Sequence, residues 1–170
     1  MVVPGTPGER AVSQTFVRLV SLGILLLSAA CSTTALESQS KTQDARQARV
    51  YFLRSTVTIG GVAAEIKVND QKVGTLANNS HLFVDRDPCR YKLSVETPME
   101  TGRYSTTVQL RPSSTYYVAL EQRPEFIAGM MVAGVAAGIV EQANAPENSG
   151  RFKLTLLDQN AGAAMLQRLK

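Results

Sequence analysis

Apolar positions along the chain fall into three regimes. The first is a continuous run, Leu19 to Cys31, with no charge in it and with Arg10 and Arg18 before it. The second is a series of short segments between Ala48 and Leu120 in which apolar and polar residues exchange every one or two positions. Such alternation has the period of strands with one buried face. The third is a second continuous run, Phe126 to Val140, built of apolar residues and glycine.

The middle regime divides readily. Arg49-Val50-Tyr51-Phe52-Leu53-Arg54 is β-branched and aromatic between charged ends, as in a central strand. Gly60-Gly61 breaks the run. Ala64, Ile66 and Val68 alternate inward, Asn69-Asp70-Gln71 turns the chain, and Lys72 to Leu76 returns. After a turn at Asn78-Asn79-Ser80 comes a short strand from His81 to Val84, then a turn from Asp85 to Cys89 around Pro88. Arg90 to Glu96 alternates most clearly, with Tyr91, Leu93 and Val95 on one face. Gly102 to Leu110, Thr115 to Leu120 and Arg151 to Leu157 complete the set, the last with Phe152, Leu154 and Leu156 inward. Short strands with turn signals every ~8–12 residues predict a mainly β fold, an antiparallel β-sandwich of about 7–8 strands. Two helices accompany it. One is Gly/Ala-rich over 126–142, within an apolar insertion at 126–145. The other is short and C-terminal, capped by Asp158, and carries Ala161, Ala164, Met165, Leu166 and Leu169.

The first run is about a dozen residues, or roughly 18 Å as a helix, against the ~30 Å hydrocarbon core of a bilayer. It fits the apolar region of a secretory signal peptide. Ser28-Ala29-Ala30-Cys31 resembles the bacterial lipobox, with Ser28 where leucine is commonest. That resemblance implies cleavage before Cys31, a diacylglycerol thioether on Cys31 and an acylated new amino terminus. Two or more acyl chains, at ~0.8 kcal/mol per buried methylene, anchor stably. Ser32 after the cysteine resembles the outer-membrane sorting default. Ordinary cleavage and an uncleaved anchor are the competing readings. The expected organisation is a lipoprotein signal peptide at 1–30, a flexible polar tether at 31–47 and a β-sandwich lipoprotein domain at 48–170. Within the tether a short helix from Ser40 to Ala48 is the weaker alternative.

The whole chain carries +4. Removing Arg10, Arg18 and Glu9 with the leader leaves +3, and no lysine or arginine block marks a nucleic-acid surface. Of two cysteines, lipidation of Cys31 leaves Cys89 without an intramolecular partner; a buried thiol is the first expectation and an intermolecular disulfide the second. His81, Asp85 and Cys89 form the one grouping with nucleophile chemistry, at a spacing that suits neither a thiol enzyme nor a metal site. No phosphate-binding glycine loop, serine elbow or paired-carboxylate cleft is legible. No catalytic residue, metal or cofactor is expected.

Three segments carry a wider resemblance: Ala48 to Arg54, Ile66 to Gly74 and Asp87 to Val95. Together they resemble a bacterial envelope family known as a domain of unknown function, whose members are short lipoproteins, and also PEGA-type repeats. Asp70 and Cys89 stand where glycine is common in that pattern. The resemblance implies an immunoglobulin-like or prealbumin-like sandwich and no active site.

Gly134 and Gly138 form a Gly-x-x-x-Gly spacing in the third run, which lets helices approach closely in lipid. Packing on the sandwich, insertion into the membrane that Cys31 reaches, and a self-association or partner surface are its three readings. The expected protein is a non-enzymatic, lipid-anchored envelope lipoprotein, placed in the outer membrane facing the periplasm. Its expected partners are the membrane, through Cys31, and another envelope protein. The alternative is a homo-oligomeric structural component built on 126–140.

Overall fold

The computed structural model describes residues 33–56, 61–98, 100, 102–128 and 147–169. Nine strands are described: β1 Thr34–Ala35, β2 Ala48–Arg54, β3 Ala64–Val68, β4 Gln71–Leu76, β5 Ser80–Arg86, β6 Arg90–Glu96, β7 Arg103–Gln109, β8 Thr115–Gln122 and β9 Phe152–Leu157. They form a five-stranded sheet, order β1-β4-β3-β6-β7, and a four-stranded sheet, order β5-β2-β8-β9. The mainly β, two-sheet fold is thus as expected, with one more strand than the pattern predicts.

One strand pair departs from the antiparallel pattern. β2 pairs antiparallel with β5 but parallel with β8, from Arg49 opposite Thr115 to Leu53 opposite Ala119. Their connection runs through the other sheet, so no hairpin constrains their relative direction. β2 lies between these two neighbours and is buried along almost its whole length, which is why its sequence reads as a nearly continuous apolar run.

One face of each sheet closes the core. Val50 and Phe52 of β2, Leu82 and Val84 of β5, Val118 and Leu120 of β8 and Phe152 and Leu154 of β9 meet Ile66, Val68, Val73, Leu76, Leu93, Val95 and Val108 of the larger sheet. The alternation read from β3 and β6 puts these residues inside. Leu156, predicted inward, projects past the end of the core and is 56 % exposed.

Local chemistry places the turns. Asn69 and Asp70 both take positive φ, 49° and 62°. This is the conformation that a two-residue hairpin with right-handed twist requires, and Asn and Asp tolerate it. Gly74 serves a different need. A Cβ there would lie 2.4 Å from the Thr34 carbonyl oxygen, so only glycine lets β1 close on β4.

The segment expected as a flexible tether binds the sandwich over its described part. Thr33 donates from its hydroxyl to Ser80 and accepts from the Ala77 amide. Thr34 and Ala35 pair with Thr75 and Gly74, and the Leu36 amide donates to Val73. The Gln39 side chain then accepts from the Phe83 amide and donates to the Phe83 carbonyl. Residues 33–47 therefore form a strap: it adds a strand to the β4 edge, then caps the β5 edge. Residues 40–47 are not helical.

The C-terminal helix Gln159–Arg168 is capped by Asp158, which accepts from the Asn160 and Ala161 amides, as expected. Its buried residues are Gly162 and Leu166; Leu166 belongs to the predicted apolar face, whereas Ala161 and Ala164 of that face are exposed. Gly162 lies flat on Tyr117, where a Cβ would come within 2.2 Å of the ring. Of the Gly/Ala-rich helix expected at 126–142, residues 124–128 are helical, and 129–146 lie outside the described residues. Among the described residues no helix is long and apolar enough to cross a membrane.

Candidate functional site

The outer faces of the two sheets differ in chemistry. On the larger sheet Lys72, Glu65, Lys67, Glu96, Arg103, Asp70, Lys92 and Glu147 make a chain of alternating charges. Its contacts include Lys72–Glu65 at 2.6 Å, Lys67–Glu96 at 2.6 Å and Arg103–Asp70 at 3.1 Å. The Lys72 ammonium, followed by Lys67, holds the Glu65 carboxyl below the usual range. Each cation in this lane faces an anion, so it presents no uncompensated charge to a ligand.

The smaller sheet carries an aromatic face. Positions 49, 51 and 53 of β2, 81, 83 and 85 of β5 and 117 and 119 of β8 point away from the core, one residue out of phase with the core positions. Tyr51 stacks on Tyr117 with centroids 5.6 Å apart and meets Phe83 at 5.5 Å and His81 at 6.5 Å. The Arg49 guanidinium lies 3.8 Å over the Phe83 ring. It also makes a two-pronged ion pair with Asp85 at 2.7 and 2.8 Å and reaches the Lys41 carbonyl of the strap. Asp85 raises the Arg49 pKa, and burial followed by the neighbouring Tyr51 raises that of Tyr117.

The fold therefore separates the sequence-predicted grouping. His81 and Asp85 share a face of β5, but four positions along a strand span roughly 13 Å. The Asp85 carboxylate is occupied by Arg49. Cys89 lies in the turn beyond β5 and is exposed, which corrects the expected buried thiol. It takes no positive φ, so cysteine is accommodated where the resembling pattern has glycine. Cys31, Gly134 and Gly138 lie outside the described residues. Among the described residues no three His, Cys, Asp or Glu side chains group as metal ligands.

Two features escaped the sequence reading. Asp85 was expected in a turn, yet the alternation His81, Phe83, Asp85 continues the strand and was the available signal. Arg54 closes β2 and is wholly buried. It donates to the Val62 and Leu76 carbonyls at 2.8 and 2.9 Å and lies over the Phe152 ring. Burial, and then the charge of Arg151, lowers its pKa to about 10.

The sheet edges complete the inventory. The strap covers β4 and β5. On β7, Asn148 donates its amide to the Arg103 carbonyl and accepts from the Ser105 amide, leaving the outward positions Thr107 and Gln109. On the outer side of β9 no backbone hydrogen bond is made among the described residues. Leu156 is exposed on that strand, and Lys153 pairs with Glu121 of β8 at 3.1 Å. An edge of this kind can accept an added strand. A shallow hollow at Gln109, Arg111, Ser114, Thr115, Tyr116 and Gln159 gathers no such set of groups.

A family model described as a protein of unknown function (DUF2846) matches residues 44–135, from the end of the strap through β8 and beyond. No curated protein matches the chain.

Proposed function

The chain belongs to the DUF2846 family of proteins of unknown function, and on that premise we propose that it is a non-catalytic envelope lipoprotein, lipid-anchored through Cys31 in the outer membrane, whose sandwich binds another envelope protein at the β9 edge. The observation that carries this reading is the inequality of the edges. The polar segment 33–39 pairs with β4 and caps β5, while among the described residues β9 is left with backbone donors and acceptors along one side and an exposed Leu156. Strand addition supplies affinity through those backbone groups, and Leu156 gives the partner an apolar contact.

The test is photocrosslinking in intact cells from a probe at Leu156, with a probe at Thr107 for comparison and products identified by mass spectrometry. A heterologous envelope protein captured at Leu156 and not at Thr107, which no longer co-purifies with a probe-free Leu156→Asp variant, supports the reading. Leu156 is solvent-exposed, so the aspartate alters fold stability by about 0.5 kcal/mol or less. Self-crosslinks alone would replace it with the homo-oligomeric assembly, and capture at Thr107 but not Leu156 would move the site to β7.

A further inference from the structure

Strand directions sort every loop to one of two ends of the sandwich. β2 ends at Arg54, opposite the start of β5 at Ser80. β8 runs parallel to β2, so it too ends there, and β9 starts there, with Phe152 opposite Gln122. In the other sheet the start of β3 and the end of β4 meet at Ala64 and Leu76, and the end of β6 and the start of β7 meet at Glu96 and Arg103. Ala77 joins the two groups because its N–H donates to the Thr33 hydroxyl, which in turn donates to Ser80. One end therefore carries Thr33, Gly61 and Val62, Asn78 and Asn79, Gly102, and the chain leaving β8 and entering β9. The other carries the Asn69–Asp70 turn, Cys89, residues 110–114 and the start of the C-terminal helix.

We infer that the Thr33 end is the face the domain lays against the lipid bilayer; this rests on the proposed lipidation of Cys31. Covalent reach decides it. One residue, Ser32, separates Cys31 from Thr33, so their Cα atoms lie at most about 7 Å apart. Thr33 is bound by two side-chain hydrogen bonds, and Thr34 is already in the sheet. An acylated Cys31 has no slack with which to lift the sandwich from the headgroups. A second observation agrees. Among the described residues, the charged groups at this end other than the buried Arg54 are matched there, Arg151 with Glu100, Arg123 with Glu125 and Arg103 with Glu96, and Val62 is exposed. The strands then stand away from the membrane, and the opposite end, about 20 Å off for a seven-residue strand, points into solvent.

The experiment uses the full acylated protein in vesicles of phosphatidylethanolamine and phosphatidylglycerol containing headgroup spin-labelled lipid. A fluorophore is placed on native Cys89, and in a Cys89→Ser background on Val62→Cys or on Gly61→Cys, where a side chain meets open space. Intact mass first establishes acylation of Cys31. The expected result is quenching at 61 and 62 several-fold stronger than at Cys89, unchanged at high salt because no basic patch is involved. With Cys31 acylated, equally weak quenching at all three positions, or stronger quenching at Cys89, overturns the inference while leaving the lipoprotein reading intact. An unmodified Cys31 overturns both.

Discussion

The Arg49–Asp85 pair shows at residue scale how the outer face of the smaller sheet is held. Both side chains are nearly removed from solvent, and the guanidinium also binds the strap and lies on Phe83. Removing one partner leaves the other buried and uncompensated, which typically costs about 3–5 kcal/mol. Asp85→Ala is therefore expected to lower unfolding free energy in urea by about that amount. Arg49→Met combined with Asp85→Leu is expected to recover most of it, since a hydrophobic pair needs no compensating charge. A double variant no better than Asp85→Ala would mean that the strap contact at Lys41, not the ion pair, carries the stability. Glu65 makes a weaker and pH-dependent contribution. Its carboxyl is held below 4.5 by Lys72 and Lys67, so the unfolded chain binds its proton more readily than the folded one. The stability it confers is full above pH 4.5 and is lost as pH falls through the depressed folded value. Glu65→Gln should lower the urea midpoint at pH 7 by the equivalent of about 0.5–1 kcal/mol and leave it unchanged near pH 2. These pairs were hidden in the sequence because a charge on a strand gives its parity and not its partner. Arg54 was hidden for the same reason. It ends an apolar strand as a surface residue would, and its burial depends on carbonyls from Val62 and Leu76, which are distant in sequence.

At the scale of elements, what was legible was what burial periodicity encodes. β3 and β6 announce themselves because one face is core and the other water, and the Asp158 cap because a carboxylate two and three residues from its donor amides is local information. The strap has neither property. Its attachment consists of backbone ladders and amide side chains, with no apolar stripe, so its polar composition reads as unstructured chain. Gly74, which receives it, is the trace it leaves. Gly74→Ala is expected to drive Cβ into the Thr34 carbonyl and displace β1, at a cost of about 1–3 kcal/mol. Hydrogen exchange checks this directly. The Leu36 amide, bonded to Val73 at 3.0 Å, should lose protection by tenfold or more while Val118 and Leu120 in the core keep theirs. Unchanged protection at Leu36 would mean that β4 shifts to accommodate the methyl group.

For the whole molecule the strap is the difference between one open side and two. Among the described residues, a sandwich built only of 48–170 would expose β4 and β5 as well as β9, and unpaired edges pair with other chains. Replacing 33–47 with a Gly/Ser segment of equal length preserves length but removes the ladder at Thr34–Ala35 and the Gln39 bonds to Phe83. The lost hydrogen bonds, each worth about 0.5–1.5 kcal/mol net and offset in part by the freed chain entropy, put the expected destabilisation at about 2–4 kcal/mol. The more telling outcome is association. The soluble replaced domain should elute as concentration-dependent oligomers in size-exclusion chromatography, whereas the native sequence from Ser32 onward should not change its elution across the same range. Adding Leu156→Asp to the replaced domain separates the two sides. If oligomers persist, they form through β4 and β5, and the strap is what keeps the sandwich single on that side. If they vanish, β9 alone drives association, and the strap serves only to bind the domain close to Cys31.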